Sequence, residues 1–206
     1  MATKNLRSEK ITSPEFRVSF PNVFVAKASL DDKGQPTGKS KYSLVMLIPK
    51  TTDTMEIRSE ISRLAIGYFG EKRIVDGKKT KAIPKAIKNP LKDGDEIYEN
   101  NPEKYTMYKG MWSLTASSLD RPGLVDHNLE PIITPNEFYA GCYARCTFNL
   151  YTYDLPMSKG IALGLQNIQK LRDGESFSGT KISAENDFDA VGGAGSKDAL
   201  SDFFEG

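Results

Sequence analysis

Between Glu71 and Lys92 eight basic residues, Lys72, Arg73, Lys78, Lys79, Lys81, Lys85, Lys88 and Lys92, stand against two acids. Surface loops ordinarily mix the two signs, so a segment this one-sided suits a polyanionic partner. Lysine is a point charge on a flexible stem, fitted to follow a phosphate backbone without reading bases. A second group lies on the longest alternating run of the chain, Tyr139 to Tyr153. Its even members, Cys142, Ala144, Cys146, Phe148 and Leu150, form an apolar face, and its odd members, Tyr143, Arg145, Thr147, Asn149, Tyr151 and Tyr153, a polar and aromatic one. Three tyrosines and an arginine opposite a sealed face are the components of a base-stacking surface. Stacking on one ring is worth roughly 1–3 kcal/mol and tolerates any base, while Arg145 can pair with a phosphate or stack. The alternative for this face is a second buried layer under a helix.

Tyr108 and the sole tryptophan, Trp112, lie four apart on an expected strand and so share a face, which adds them as candidate stacking residues; Trp112 also suits a core anchor. The last group is at the end of the chain. Ile182 to Gly206 carry six acids and one lysine. Although the whole chain is +1, the rest therefore holds 27 basic and 21 acidic residues. Asp198, Asp202, Phe203, Phe204 and Glu205 put negative charge beside rings, so this end can imitate a ligand made of phosphates and bases. Charge separated along a chain in this way points to a polyanion partner and a tail that mimics it.

The elements that must position these groups are mostly strands. Phe16, Val18 and Phe20 alternate with Arg17 and Ser19, the period of a half-buried strand, and the run continues beyond Pro21-Asn22 as Val23 to Ala26. Asp31 to Gly38 is turn chemistry. Lys41 to Lys50 is nearly continuous in apolar residues and is expected to be a central strand. Ile57, Ile61, Leu64, Ala65 and Tyr68 fall on one helical face, capped by Thr51, Thr52 or Asp53 and ended by Gly70. The basic segment is expected to be an excursion without packed structure. Strand character returns from Tyr105 to Ser117, and a last strand or helix spans Gly160 to Leu171. Gly192-Gly193-Ala194-Gly195-Ser196 is a flexible linker. The expected fold is mainly β: an OB-fold-like five-stranded barrel with an inserted helix and long loops. It forms one domain over residues 1–181, followed by a flexible acidic tail over 182–206.

Other functions find little support. One histidine, His127, and two cysteines cannot supply a structural zinc set, and neither Gly-rich nucleotide cradle is present. Asp93, Asp95 and Glu96 are crowded at a glycine turn and are expected to form a solvated loop rather than a magnesium site. Neither catalysis, a cofactor nor a metal is expected. Cys142 and Cys146, if on one strand, are roughly 13 Å apart, beyond disulfide reach, and suit a reducing compartment. The chain lacks an apolar run of about 18 residues and the first residues lack a secretory h-region, so the expected location is the cytoplasm.

Taken together these features predict sequence-independent binding of single-stranded DNA. The alternative is an interaction adaptor that binds no DNA and whose acidic tail meets a basic partner. The blocks Phe16-Arg17-Val18-Ser19-Phe20-Pro21-Asn22-Val23-Phe24 and Lys41 to Lys50, with the acidic aromatic tail, resemble phage-encoded single-stranded-DNA-binding proteins. That group is similar in plan to the podovirus replication protein. The resemblance implies an OB-fold barrel, DNA in an aromatic and basic groove, a role in replication, recombination and repair in the infected host cytoplasm, and a tail contacting replication proteins. Removing the tail would then tighten DNA binding and admit duplex DNA. Family tails often finish on phenylalanine, whereas this one ends Phe203-Phe204-Glu205-Gly206. Oligomeric state is left open, a homodimer included.

Overall fold

A computed structural model of the chain describes residues 5–30, 35–75, 78–156 and 158–177. Alternating apolar residues build two long strands first, β2 (Phe16–Leu30) and β3 (Pro36–Pro49), which pair antiparallel. β3 pairs antiparallel with β7 (Met111–Ser118), and β7 pairs parallel with β10 (Ser158–Arg172). β10 pairs antiparallel with β9 (Tyr143–Leu155), which returns to β2 through Phe16–Ala144 and Arg17–Tyr143. The order β2-β3-β7-β10-β9 thus closes on itself as a ring of five strands. Closure leaves these strands few free edges. β1 (Ile11–Thr12) adds to β9, β8 (Gly123–Val125) to β10, and β6 (Leu91–Asp93) to β7.

One face of every ring strand points inward. Val18, Leu44, Met46, Ile48, Leu114, Ala116, Ala144, Cys146, Phe148, Leu150, Ile161 and Leu163 are all buried in one core. Burying each large apolar side chain contributes about 1.5–3 kcal/mol. The helix α1 (Met55–Phe69) packs on β9 and β10 with Ile57, Ile61, Leu64 and Ala65, the face set by their spacing. Its N-cap is Thr54, and the Asp53 carboxylate accepts from the Met55 amide at 2.8 Å; Gly70 ends it. Cys142 and Cys146 are buried free thiols, and burial pushes Cys146 up to about 12.

Two segments differ from expectation, and a third settles an open choice. The basic excursion is partly ordered: β4 (Glu71–Val75) and β5 (Lys78–Ala82) pair as a two-stranded hairpin, apart from the ring. The strand expected from Tyr105 starts only at Met111, because α2 (Gly94–Asn100) and a 3-10 turn at Thr106–Tyr108 precede it. β10 resolves the open choice at Gly160 to Leu171 as a strand. Among the described residues no helix is long and apolar enough to cross a membrane, and no group of acids, histidines and cysteines is arranged to hold a metal.

Candidate nucleic-acid interface

The outer faces of the ring carry the candidate chemistry. Arg17 and Ser19 on β2, and Val45 and Leu47 on β3, have the parity opposite to the core residues Val18, Leu44, Met46 and Ile48. After Ser19 the register of β2 slips, so that Asn22 pairs with Ser43. At this bulge Phe20 takes φ +46°, a left-handed conformation rare for a bulky residue, and the residue is 47% exposed. A bulge is a means of re-aiming a side chain. Here it turns outward the residue that simple alternation would have sent into the core.

The chain between α2 and β7 lies over this face. Tyr108 is buried, with its hydroxyl 3.5 Å from the Ser19 hydroxyl, and burial raises its pKa. Tyr105 stands edge-on to Tyr108 at 5.2 Å and to Phe20 at 6.5 Å between centroids. The Lys104 ammonium is 5.2 Å from the Tyr105 ring centre. Beside them is a cleft of about 390 Å³ lined by Ser19, Phe20, Pro21, Asn22, Lys27, Lys104, Met107, Ala140 and Phe177. Farther along β2 and β3, Lys27 and Lys41 are direct Cα partners and both exposed. Neither has an acidic partner among the described residues. Like charges across a strand pair are unfavourable alone and become favourable around an anion.

A clamp of opposite charges fixes the covering segment. Lys50 at the end of β3 donates to Asp93 at 2.8 Å and to Asp95 at 2.6 Å. The other Asp95 oxygen accepts from the Gly110 amide at 2.6 Å, and Asp93 caps α2 by accepting from the Asp95 amide at 2.9 Å. Hydrogen bonds from Lys50 hold both carboxyls below their usual range and raise the lysine. A side chain at Gly94 would collide with the backbone carbonyls of Tyr108 and Met111, so the helix and the turn meet only through glycine.

This arrangement revises several sequence expectations. Asp93 and Asp95 are structural anchors rather than a solvated loop. Tyr108 belongs to the covering segment, is buried against Ser19 of the barrel and is not on a strand, so it supports Tyr105 and offers no free ring. Trp112 packs against the core, with the Arg58 and Lys50 cations 4.3 and 4.9 Å from its ring centre; its surroundings are those of an anchor. The polar face of β9 does lie outside the barrel, and its tyrosines are half-buried. The Arg172 guanidinium is 3.3 Å from the Tyr143 ring centre. Tyr151 rests beside Gly164 with Arg7 at 5.9 Å, and the Tyr153 hydroxyl is 3.4 Å from Ser158. Arg145 is exposed and donates to Gln169 at 2.8 Å.

Of the basic segment, Lys85, Lys88 and Lys92 are exposed. Lys88 pairs its backbone with β10 at Gly160, so it is tied to the barrel. The hairpin register sets Lys72 opposite Lys81, Arg73 opposite Thr80, Ile74 opposite Lys79 and Val75 opposite Lys78. The tail residues Asp198, Asp202, Phe203, Phe204 and Glu205 lie outside the described residues. What sequence reasoning missed is the pair Phe20 and Tyr105, with Lys27, Lys41 and Lys104. A signal was present in Phe20-Pro21-Asn22, since proline inside a strand marks an edge or a bulge.

Fold and face together define a class: a closed, OB-fold-like five-stranded barrel with rings and cations on its exterior. The comparisons agree. A family model described as the ssDNA-binding protein of Enterobacter phage Enc34 matches residues 9–202. Protein p50 of Acyrthosiphon pisum secondary endosymbiont phage 1 is 31% identical over 199 residues, covering 93% of this chain and 99% of that protein. The single-stranded DNA-binding protein from bacteriophage Enc34, solved in complex with ssDNA, superposes with a TM-score of 0.61 at 25% identity, over 82% of this chain and 89% of that one. The bacteriophage T7 single-stranded DNA binding protein gp2.5 matches with a TM-score of 0.51 at 14% identity, over 91% and 99%, a likeness of fold alone. The chain belongs to the family of phage single-stranded-DNA-binding proteins typified by that of Enterobacter phage Enc34.

Proposed function

We propose that this protein binds single-stranded DNA without reading its sequence and catalyses no reaction. The strand crosses the outer face of β2 and β3, where bases stack on Phe20 and Tyr105 while Lys27, Lys41 and Lys104 neutralise phosphates. The observation that carries this reading is Phe20: an exposed residue in a strained backbone conformation, beside a second ring and the cations of Lys27 and Lys104. Strain of this kind clusters where a ligand is held, and OB-folds bind oligonucleotides on the face of their second and third barrel strands and the adjoining loops; β3, the second strand of this ring, carries half of the proposed face. Support also comes from the family relative solved with ssDNA. In this reading the basic hairpin, Lys85 and Lys88 extend the phosphate track. Tyr143, Arg145, Tyr151 and Tyr153 form a secondary ledge that meets the main face at Arg17.

In the same proposal the acidic tail competes for the DNA face, and, once displaced, recruits other replication proteins. Tail removal then tightens DNA binding and admits duplex DNA, and the protein serves phage replication, recombination and repair. Titration of a fluorescein-labelled oligothymidylate at several salt concentrations tests the core of it. About four neutralised phosphates give log affinity against log salt a slope near −3, and Phe20→Ala weakens binding about tenfold or more, one stacked base. A slope near zero, or parent-like binding by Phe20→Ala, contradicts the assignment. Binding only to a basic protein and not to the oligonucleotide would favour the adaptor alternative.

A further inference from the structure

Phe177 of the chain itself lines the cleft beside Phe20, Lys27 and Lys104. The segment carrying it is laid down on the barrel. The Phe177 amide donates to the Ala140 carbonyl at 3.0 Å, and Arg17 donates to the Glu175 carbonyl at 2.7 Å and to the Gly141 carbonyl at 3.3 Å. The Arg17 guanidinium lies 4.4 Å from the Phe177 ring centre and 5.4 Å from that of Tyr143. An arginine plane held beside a flat ring is also the geometry in which a nucleobase stacks on protein.

We propose that Arg17 is a nucleobase-stacking subsite and that Phe177 is its resident occupant. A base entering the cleft takes the place of the Phe177 ring. This rests on the cleft being the DNA face, as proposed above. It is separate from competition by the acidic tail, because a ring on a guanidinium and a backbone hydrogen bond act at contact distance, whereas attraction between exposed charges is screened by salt.

The test uses the full chain and an oligothymidylate. Phe177→Ala raises affinity roughly two- to fivefold, the equivalent of one exposed cation–π contact, and does so equally at low and high salt. Chymotrypsin cleavage after Phe177, mapped by mass spectrometry, accelerates when the oligonucleotide is added. Unchanged or weaker binding by Phe177→Ala, or protection of that bond by DNA, overturns the proposal. Phe20→Ala measured alongside separates the two claims. Weakened binding there with no gain from Phe177→Ala sinks only the subsite, while parent-like binding by Phe20→Ala sinks the cleft as the DNA face.

Discussion

Phe20 occupies a conformation that costs an L-residue roughly 1–2 kcal/mol, and it exposes an apolar ring as well. Neither feature helps the fold, so replacing it separates stability from binding. Phe20→Gly, which adopts φ +46° without strain, is expected to keep or raise the unfolding midpoint while lowering affinity for single strands by about tenfold or more. Urea denaturation beside a DNA titration checks both halves; a marked loss of stability would make Phe20 a packing residue. Lys50 and its two aspartates make a different prediction. Asp93 and Asp95 are held below the usual carboxylate range by hydrogen bonds from Lys50. Their contribution is therefore present at neutral pH and disappears as pH falls below about 4 towards their folded-state values. Lys50, raised by the same bonds, loses its contribution only as pH climbs above its usual range. Lys50→Met should therefore lower stability at pH 7 and flatten the decline between pH 5 and pH 3, read as melting temperature against pH. An unchanged decline would show that the clamp carries none of the acid sensitivity.

At the scale of elements, the segment from α2 to β7 decides whether Tyr105 and Lys104 face the cleft. Gly94→Ala drives a methyl into two backbone carbonyls and is expected to cost about 1–3 kcal/mol. It should weaken DNA binding as well, because Tyr105 moves with the segment; a variant that unfolds earlier yet binds normally would separate Tyr105 from the site. The β4–β5 hairpin forms a sheet separate from the ring, and its register sets Lys72 opposite Lys81. Changing Lys72, Lys79 and Lys81 to Gln should make the salt dependence shallower, and an unaltered slope would remove the hairpin from the phosphate track. The ring strands and α1 were readable because two-residue and 3.6-residue periods follow directly from burial of one face, as in Ala144, Cys146, Phe148 and Leu150. The hairpin was not, because its two apolar residues, Ile74 and Val75, are adjacent and give no two-residue period. The late start of β7 was not either: Tyr105 and Tyr108 read as strand residues, and the close approach of their turn to Gly94 is a tertiary contact that no period records.

Across the whole molecule, the sequence reveals a polyanion binder more readily than it reveals where the polyanion lies. Charge separation and ring content survive any folding, so the class was legible. The proposed site depends on one bulge that reverses Phe20 and on a covering segment that folds Tyr108 onto the barrel, and both are tertiary events. If DNA runs over β2 and β3, single-strand binding and exclusion of the chain's own acidic end share one surface. Deleting residues 178–206 should then tighten single-strand binding most at low salt, where the tail's charge is least screened. Equal affinity with and without these residues would confine any self-competition to Phe177. The most direct measurement is photo-crosslinking of an iodouracil-bearing oligonucleotide to the full chain, with the attached residues identified by mass spectrometry. The account predicts crosslinks to Phe20 and Tyr105; crosslinks confined to Tyr151 and Tyr153 would move the bound strand to the far ledge of the barrel and contradict it.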